Sequence, residues 1–241
     1  MELSKAADLI RKVKNTVCSV VVVAAGSSTR MGKDKLFLDL EGMPVLVRTL
    51  RVFDECSFVR EVILVAREDM AEDAAELCRA YGIRKVARVV IGGATRTESV
   101  LAGISSIDRE ARIVLVHDGA RPLVTEDIIY DAMHKAAIYS AAAPAVPVTD
   151  TIKETQRDIV VRTPDRASLA AVQTPQAFVP EILKAALTAA VRDGKEYTDD
   201  CAAVEAMGVR VHLSKGSREN IKITGPLDME LAAGILRSRH E

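Results

Sequence analysis

The segment Val20–Lys35, VVVVAAGSSTRMGKDK, decides how the rest of the chain is read. Four consecutive valines suit a strand buried on both faces, as in a parallel sheet covered by helices on either side. The run stops at Ala24-Ala25-Gly26, and hydroxyl side chains, Arg30, Gly32 and three charged residues ending at Lys35 follow. In α/β folds a β-branched strand feeding a small-residue loop brings backbone N–H groups up to phosphates. Arg30 and Lys35 would meet the negative charge that such a loop attracts. A core strand followed by an ordinary basic turn is the plainer alternative.

Two familiar phosphate loops fail here. The dinucleotide fingerprint G-x-G-x-x-G needs a second glycine where Ser28 stands. The P-loop G-x-x-x-x-G-K-[ST] also fails, because five residues separate Gly26 from Gly32 and Asp34, not a hydroxyl, follows Lys33. What remains is A-A-G, then Arg30, Met31 and Lys35. Ala24 and Ala25 let a nucleotide approach the backbone, and Gly26 supplies the tight turn. Arg30 can grip phosphate oxygens in bidentate fashion, and Lys35 acts as a movable point charge.

Working outward, strands and helices alternate. The first strand spans about 17–23, and Pro44 opens a helix to Phe53. Strand Glu61–Ala66, helix Asp69–Tyr81, strand Lys85–Ile91, helix Thr97–Ile107, strand Arg112–His117 and helix Thr125–Tyr139 follow. This rhythm predicts a doubly wound, mainly parallel α/β sheet whose ligand sits beyond the carboxyl ends of the strands. After a strand at Ala141–Val148 the rhythm breaks. Residues 149–173 read as a polar hairpin arm turning near Thr155–Asp158, too poorly supported to stand alone and so expected to lie on another subunit. Helices Pro180–Arg192 and Thr198–Met207, strand-like Val209–Ser214 and Ile221–Ile223, and a helix from Pro226 complete the chain. Residues 1–16, with Leu3, Ala6, Ala7, Ile10 and Val13 on one face, read as a helical extension before a single domain over 17–241.

Composition narrows the class. Of 241 residues 49% are hydrophobic but only 3% aromatic, and Trp is absent, so the core is aliphatic. With 33 basic and 34 acidic residues the formal charge is −1, which excludes a protein that coats nucleic acid or an anionic membrane. Scarce aromatics also disfavour a base-stacking platform. Cys18, Cys56, Cys78 and Cys201 show no C-x-x-C spacing and read as buried thiols of a reducing compartment. Lys12 and Lys14 before the valine run imitate a secretory signal, but cleavage there would remove the strand that the βα units need as a neighbour. A soluble cytoplasmic protein is expected.

The other strand-end loops extend the site. In Gly92-Gly93-Ala94-Thr95-Arg96, paired glycines expose backbone that can read a base edge, and Ser99 follows on the helix; a plain strand-to-helix turn is the alternative. Asp118 stands at the end of the apolar strand Val114–Val116, where a carboxylate facing a triphosphate is a natural Mg²⁺ ligand; capping of the Gly119 turn is the alternative. Arg121-Pro122 shapes the loop. A lysine such as Lys35 would ordinarily be solvated, and only its place after the glycine loop argues otherwise.

These pieces together resemble the 2-C-methyl-D-erythritol 4-phosphate cytidylyltransferase family, with its Rossmann-like nucleotidyltransferase fold. The matching stretches are AAGSSTRM with Lys35, GGATRTESV, VHDGARP, PVTDTIK, TPQAF, YTDD and NIKIT, in order from Val20 to about Glu230. The resemblance implies transfer of a cytidylyl group from CTP to the 4-phosphate of methylerythritol phosphate, with Mg²⁺ required and pyrophosphate released. By that resemblance Arg30 and Lys35 stabilise the transition state. Ala24, Ala25, Gly26, Gly93, Ala94 and Ser99 hold the nucleotide. Asp118 ligates the metal near the acceptor. Lys222 and Arg166 position the acceptor phosphate, helped by Thr151 and Thr198, and the arm crosses a homodimer interface so that Arg166 serves the neighbouring site. The chain departs from the family pattern at Ser28, Ala94 and Leu36, and in the short Met31–Lys35 spacing. Because a phosphate acceptor with a second pKa near 6 is largely dianionic at pH 7, no histidine need act as a base. A ribitol 5-phosphate cytidylyltransferase and a non-catalytic nucleotide-binding regulator are the competing readings.

Overall fold

The computed structural model describes residues 17–26 and 34–239. The helical reading of residues 1–16 and the role given to Arg30 therefore lie outside the described residues. In chain order the elements are β1 (Cys18–Ala24), α1 (Val45–Glu55), β2 (Val59–Ala66), α2 (Ala71–Ala80), β3 (Val86–Ile91), α3 (Arg96–Ile104), β4 (Ile113–Asp118), α4 (Glu126–Tyr139) and β5 (Ala141–Pro147). After them come β6 (Glu154–Gln156), β7 (Ile159–Arg162), β8 (Ala170–Val172), β9 (Gln176–Phe178), α5 (Pro180–Arg192), α6 (Asp200–Glu205), β10 (His212–Lys215) and α7 (Pro226–Ser238).

The valine run is central, with β1 pairing in parallel with β2 on one edge and β4 on the other. Both faces are buried, which is why the run does not alternate with polar residues. Val20 and Val22 point into a core shared with Leu50 and Phe53 of α1, Met133 of α4 and Leu236 of α7. Val21 points into a second core with Val100 and Ile104 of α3, Leu187 of α5 and Val204 of α6. Each fully buried valine contributes on the order of 1.5–3 kcal/mol. Helix α3 lies so close to the sheet that a Cβ at Gly103 would come within 2.5 Å of Val21 Cγ1 and 2.8 Å of Val65 Cγ2. The Gly103→Ala change would force that layer apart.

The strand order is β10-β5-β9-β4-β1-β2-β3. The chain runs outward from β1 through β2 to β3, then crosses back to place β4 on the other side of β1. That reversal makes a crevice at the carboxyl ends of β1 and β4, where α/β sheets bind ligands.

One local expectation, the strand at 221–223, is corrected, and two local elements are not read from the sequence. Gln176–Phe178 forms β9, which runs antiparallel between β4 and β5, with Leu115 opposite Ala177 and Ala141 opposite Phe178. A three-residue strand is too short to show a period in sequence. Residues 221–223 form no strand; one bond, from Ile223 N to Ala120 O at 2.8 Å, ties them to the loop after β4. Leu36–Leu40, which alternates weakly in sequence, opens as a 3-10 turn at Lys35–Phe37. The arm holds the expected hairpin, β6 against β7, turning through Arg157 at φ 54°.

Candidate active site

A cavity of about 650 Å³ opens at the strand ends, at the β1/β4 crevice. Nine residues singled out from sequence line it together: Ala24, Ala25, Gly26, Lys35, Gly93, Ala94, Ser99, Asp118 and Lys222. They come from separate stretches of chain that only the fold brings together. Thr151, Arg166 and Thr198 are not in this lining and are exposed to solvent. Arg166 stands on the arm, where its Nη1 donates to Thr149 O at 2.8 Å. Thr198 precedes Asp199, the N-cap of α6.

The first wall carries Lys35. Asp34 caps the 3-10 turn, its Oδ1 accepting from Leu36 N at 3.1 Å. Its Oδ2 pairs with Arg67 Nη1 at 2.9 Å, and the same nitrogen donates to Gly26 O at 3.2 Å. The facing wall is the Gly92–Arg96 turn. A Cβ on Gly92 would sit 2.7 Å from both Ala25 Cβ and Ser99 Oγ, so the loops after β1 and β3 touch through a position that only glycine fills without displacement. Thr95 and Glu98 form a reciprocal capping box at the start of α3, with Glu98 N to Thr95 Oγ1 at 3.1 Å and Thr95 N to Glu98 Oε2 at 3.0 Å. Ser99 Oγ turns back to Thr95 O at 2.9 Å.

Asp118 is the electrostatic centre. Its Oδ2 lies 3.0 Å from Lys222 Nζ and 3.3 Å from Arg121 Nε. Burial alone would raise the carboxyl pKa; the charges of Lys222, Arg96 and Arg121 outweigh it and hold the group at about 2. Asp118 is thus ionised at any physiological pH. Together with Glu68, just past the end of β2, it brings carboxylate oxygens to the cavity. Among the described residues no cluster of three His, Cys, Asp or Glu side chains is built to cage a metal. One or two carboxylates are the donor set that a hard cation such as Mg²⁺ takes when its remaining positions go to water and phosphate.

Behind Asp118 stands a buried polar relay absent from the sequence reading. Asp118 N donates to Thr174 Oγ1 at 3.1 Å, and Thr174 Oγ1 lies 3.0 Å from His117 Nδ1. The Arg121 carbonyl, 3.2 Å from Nε2, can only accept, so Nε2 carries the proton of the neutral ring and Nδ1 accepts from the Thr174 hydroxyl. Burial pulls the His117 pKa down to about 4 against the pull of Asp118. Asn220 closes the set, its Nδ2 donating to Thr174 O at 2.9 Å while its backbone carbonyl accepts from Arg121 Nη1 at 2.8 Å. Lys222, two residues on, is thereby held beside Asp118.

Arg96 also escapes the sequence reading. Its guanidinium meets buried Asp200 in a two-pronged pair at 2.9 and 2.8 Å. Burial works against its charge, but the Asp200 carboxylate more than offsets this and raises its pKa. Gln176 Oε1 in turn accepts from the Asp200 and Cys201 amides. Partners 104 residues apart leave no local pattern to read, although both lie inside stretches quoted above, GGATRTESV and YTDD.

The chain is similar to known proteins in both sequence and fold. The sequence profile described as 2-C-methyl-D-erythritol 4-phosphate cytidylyltransferase matches residues 18–238. A protein of that name from Caldanaerobacter subterraneus subsp. tengcongensis is 44% identical over 223 residues, covering 91% of this chain and 98% of the relative. One from Bacillus velezensis is 45% identical over 222 residues, covering 91% and 95%. The crystal structure of 4-diphosphocytidyl-2C-methyl-D-erythritol synthase from Anaerococcus prevotii superposes with a TM-score of 0.84 at 28% identity, over 94% of this chain and 99% of that one. The 2-C-methyl-D-erythritol 4-phosphate cytidylyltransferase of Thermus thermophilus superposes with a TM-score of 0.75 at 32% identity, over 90% and 98%. No described helix is long and apolar enough to cross a membrane. The chain belongs to the 2-C-methyl-D-erythritol 4-phosphate cytidylyltransferase family.

Proposed function

We propose that the cavity binds CTP and that the 4-phosphate of 2-C-methyl-D-erythritol 4-phosphate attacks its α-phosphorus. A bond forms between an acceptor phosphate oxygen and the α-phosphorus. The bond from that phosphorus to the bridging oxygen breaks, and its electron pair leaves with pyrophosphate. The observation that carries this reading is one cavity lined by two glycine loops, Lys35, Lys222 and ionised Asp118. Backbone of the Gly92–Ala94 turn and Ser99 suits a base, and the lysines suit phosphates.

Two anions must be brought together, so catalysis here is positioning and charge stabilisation. Lys35, with Arg30, stabilises charge on the equatorial oxygens at the α-phosphorus. Lys222 holds the acceptor phosphate, and its pairing with Asp118 fixes the ammonium before substrate arrives. Asp118 would hold Mg²⁺, which when bound neutralises phosphate oxygens. No side chain has to take a proton, since the acceptor is already largely dianionic.

The arm supports a homodimer. Ile159, Val160 and Val161 of β7 are all exposed, an apolar strip that a second copy would cover. Arg166 and Thr151 would then serve the neighbouring cavity, and Thr198 would help to position the acceptor phosphate. Four unpaired cysteines, all buried, suit a cytoplasmic location.

The test is an acceptor panel with CTP and Mg²⁺. Pyrophosphate release with methylerythritol 4-phosphate is expected. Turnover of ribitol 5-phosphate alone moves the assignment to that acceptor, and CTP binding without turnover of any polyol phosphate moves it to a regulator.

A further inference from the structure

Arg67, just past the end of β2, is not among the residues assigned above to substrate, yet it touches both Gly26 and Asp34. Its Nη1 donates to Gly26 O at 3.2 Å and to Asp34 Oδ2 at 2.9 Å. Gly26 and Asp34 stand eight positions apart in the sequence, and one guanidinium bridges them. Arg67 is itself braced. Its Nε and Nη2 donate to Asp69 Oδ1 and Oδ2 at 3.0 and 3.2 Å, a fork-to-fork pair that fixes the plane of the guanidinium. The pairing differs from a surface ion pair because the Asp34 side chain is only 9% exposed. Asp34 in turn caps the turn that begins with Lys35.

We infer that Arg67 is a positioning residue for CTP: by tying Asp34 to Gly26 it sets the distance between these two residues and the direction of Lys35. The chain of contacts runs Asp69 to Arg67, Arg67 to Asp34, and Asp34 to the Lys35 turn. A lysine could not replace Arg67, because a single ammonium lacks the fork that engages Asp69 while a third nitrogen reaches Asp34 and Gly26. A rotated Lys35 would miss a charge that develops at one phosphorus, and misplacement of about 1 Å is costly in such steps. The inference rests on the CTP reading proposed above.

A double-mutant cycle separates action through Asp34 from direct contact with phosphate. Arg67→Ala is expected to raise the KM for CTP and lower kcat, each by about 10-fold, with the KM for the acceptor changed less than about 2-fold. Asp34→Ala should act alike, and the double variant should be no more than about 2-fold worse than the weaker single variant. Arg67→Lys should recover little of the loss. Calorimetric CTP binding by the same variants supplies a readout independent of turnover, and an unchanged thermal midpoint in Arg67→Lys separates positioning from folding. Multiplying effects in the double variant, equal losses for both substrates, or full rescue by lysine overturns the positioning role while leaving the CTP reading intact. A wild-type protein that neither binds nor turns over CTP overturns both.

Discussion

Lys222 Nζ and Asp118 Oδ2 lie 3.0 Å apart, joining the loop before α7 to the end of β4 across the mouth of the cavity. The pair is partly open, since the Lys222 side chain is 43% exposed while that of Asp118 is 11% exposed. An ammonium so placed can turn from the carboxylate to an arriving phosphate without leaving the site. Lys222→Met should lower kcat/KM by roughly 10²–10³, the usual cost of removing a preorganised charge. Burial pushes the Asp118 carboxyl up, and Lys222 is the strongest of the charges that hold it at about 2, so the same change should move its titration to higher pH. A ¹³C carboxyl titration of the two proteins reads this directly, and coincident curves would sink the coupling.

Lys35 lines the same cavity, on a turn capped by Asp34. Lys35→Ala should reduce kcat by about 10²–10³ while leaving the unfolding midpoint in place, because the lysine lines the cavity and is no part of either apolar core. A kcat within about 3-fold of wild type would remove Lys35 from charge stabilisation at the α-phosphorus.

His117 makes stability depend on pH with a definite sign. Folded, it titrates near 4; its ordinary value is 6.5. Between those values the unfolded chain takes a proton that the folded protein refuses, so stability falls as pH drops through this window and is untouched above it. The full loss is about 3 kcal/mol. Asp118, held at about 2 against an ordinary 3.8, adds stability that is complete above 3.8 and is lost only below it, in a separate window. Urea unfolding at about pH 7, 5.5 and 4.5 should therefore show a slope that His117→Gln flattens. A wild-type slope preserved in the variant would place the titrating group elsewhere.

Thr174 links that histidine to the Asp118 backbone, accepting one bond and donating the other. Thr174→Val keeps the shape but leaves a buried N–H and a buried ring nitrogen without partners. The expected cost is about 2–6 kcal/mol, since each of the two orphaned groups costs about 1–3 kcal/mol. Equilibrium unfolding with an unchanged m-value would measure it, and a loss under about 0.5 kcal/mol would show the relay to be dispensable.

These residues show where reading from sequence succeeds and where it stops. The valine run, the capped helices and the three unusual strand-end loops are local patterns, so the layered α/β fold and most of the cavity lining are legible. Arg96 with Asp200 and Arg67 with Asp34 are not, because a long-range ion pair has no spacing rule; only the fold brings the partners together. The antiparallel strand at Gln176–Phe178 escapes for a related reason. Three residues carry no period, and their strand character comes from being flanked by β4 and β5. The relay of His117, Thr174 and Asn220 draws on three distant stretches of chain at once.

The arm poses the last question, because Arg166 is a surface residue within one chain, where its guanidinium donates to the carbonyl of Thr149. If it serves a second copy's cavity, activity belongs to pairs of chains. Lys35→Ala and Arg166→Ala homodimers should each be nearly inactive. A mixed dimer of the two would hold one cavity that combines an intact Lys35 from one chain with an intact Arg166 from the other. Co-expression with two different affinity tags isolates that species, and about half of wild-type activity per dimer is expected, because one of two cavities is whole. The measurement is decisive because action within one chain predicts a different number: each cavity would then carry one lesion, and the confirmed heterodimer would stay as inactive as its parents. Ile159→Asp on the exposed strip supplies the complementary check. Placing a charge where a partner should pack ought to convert the protein to monomers in sedimentation and lower activity at dilute concentration, whereas an unaltered sedimentation profile would move the interface away from β7.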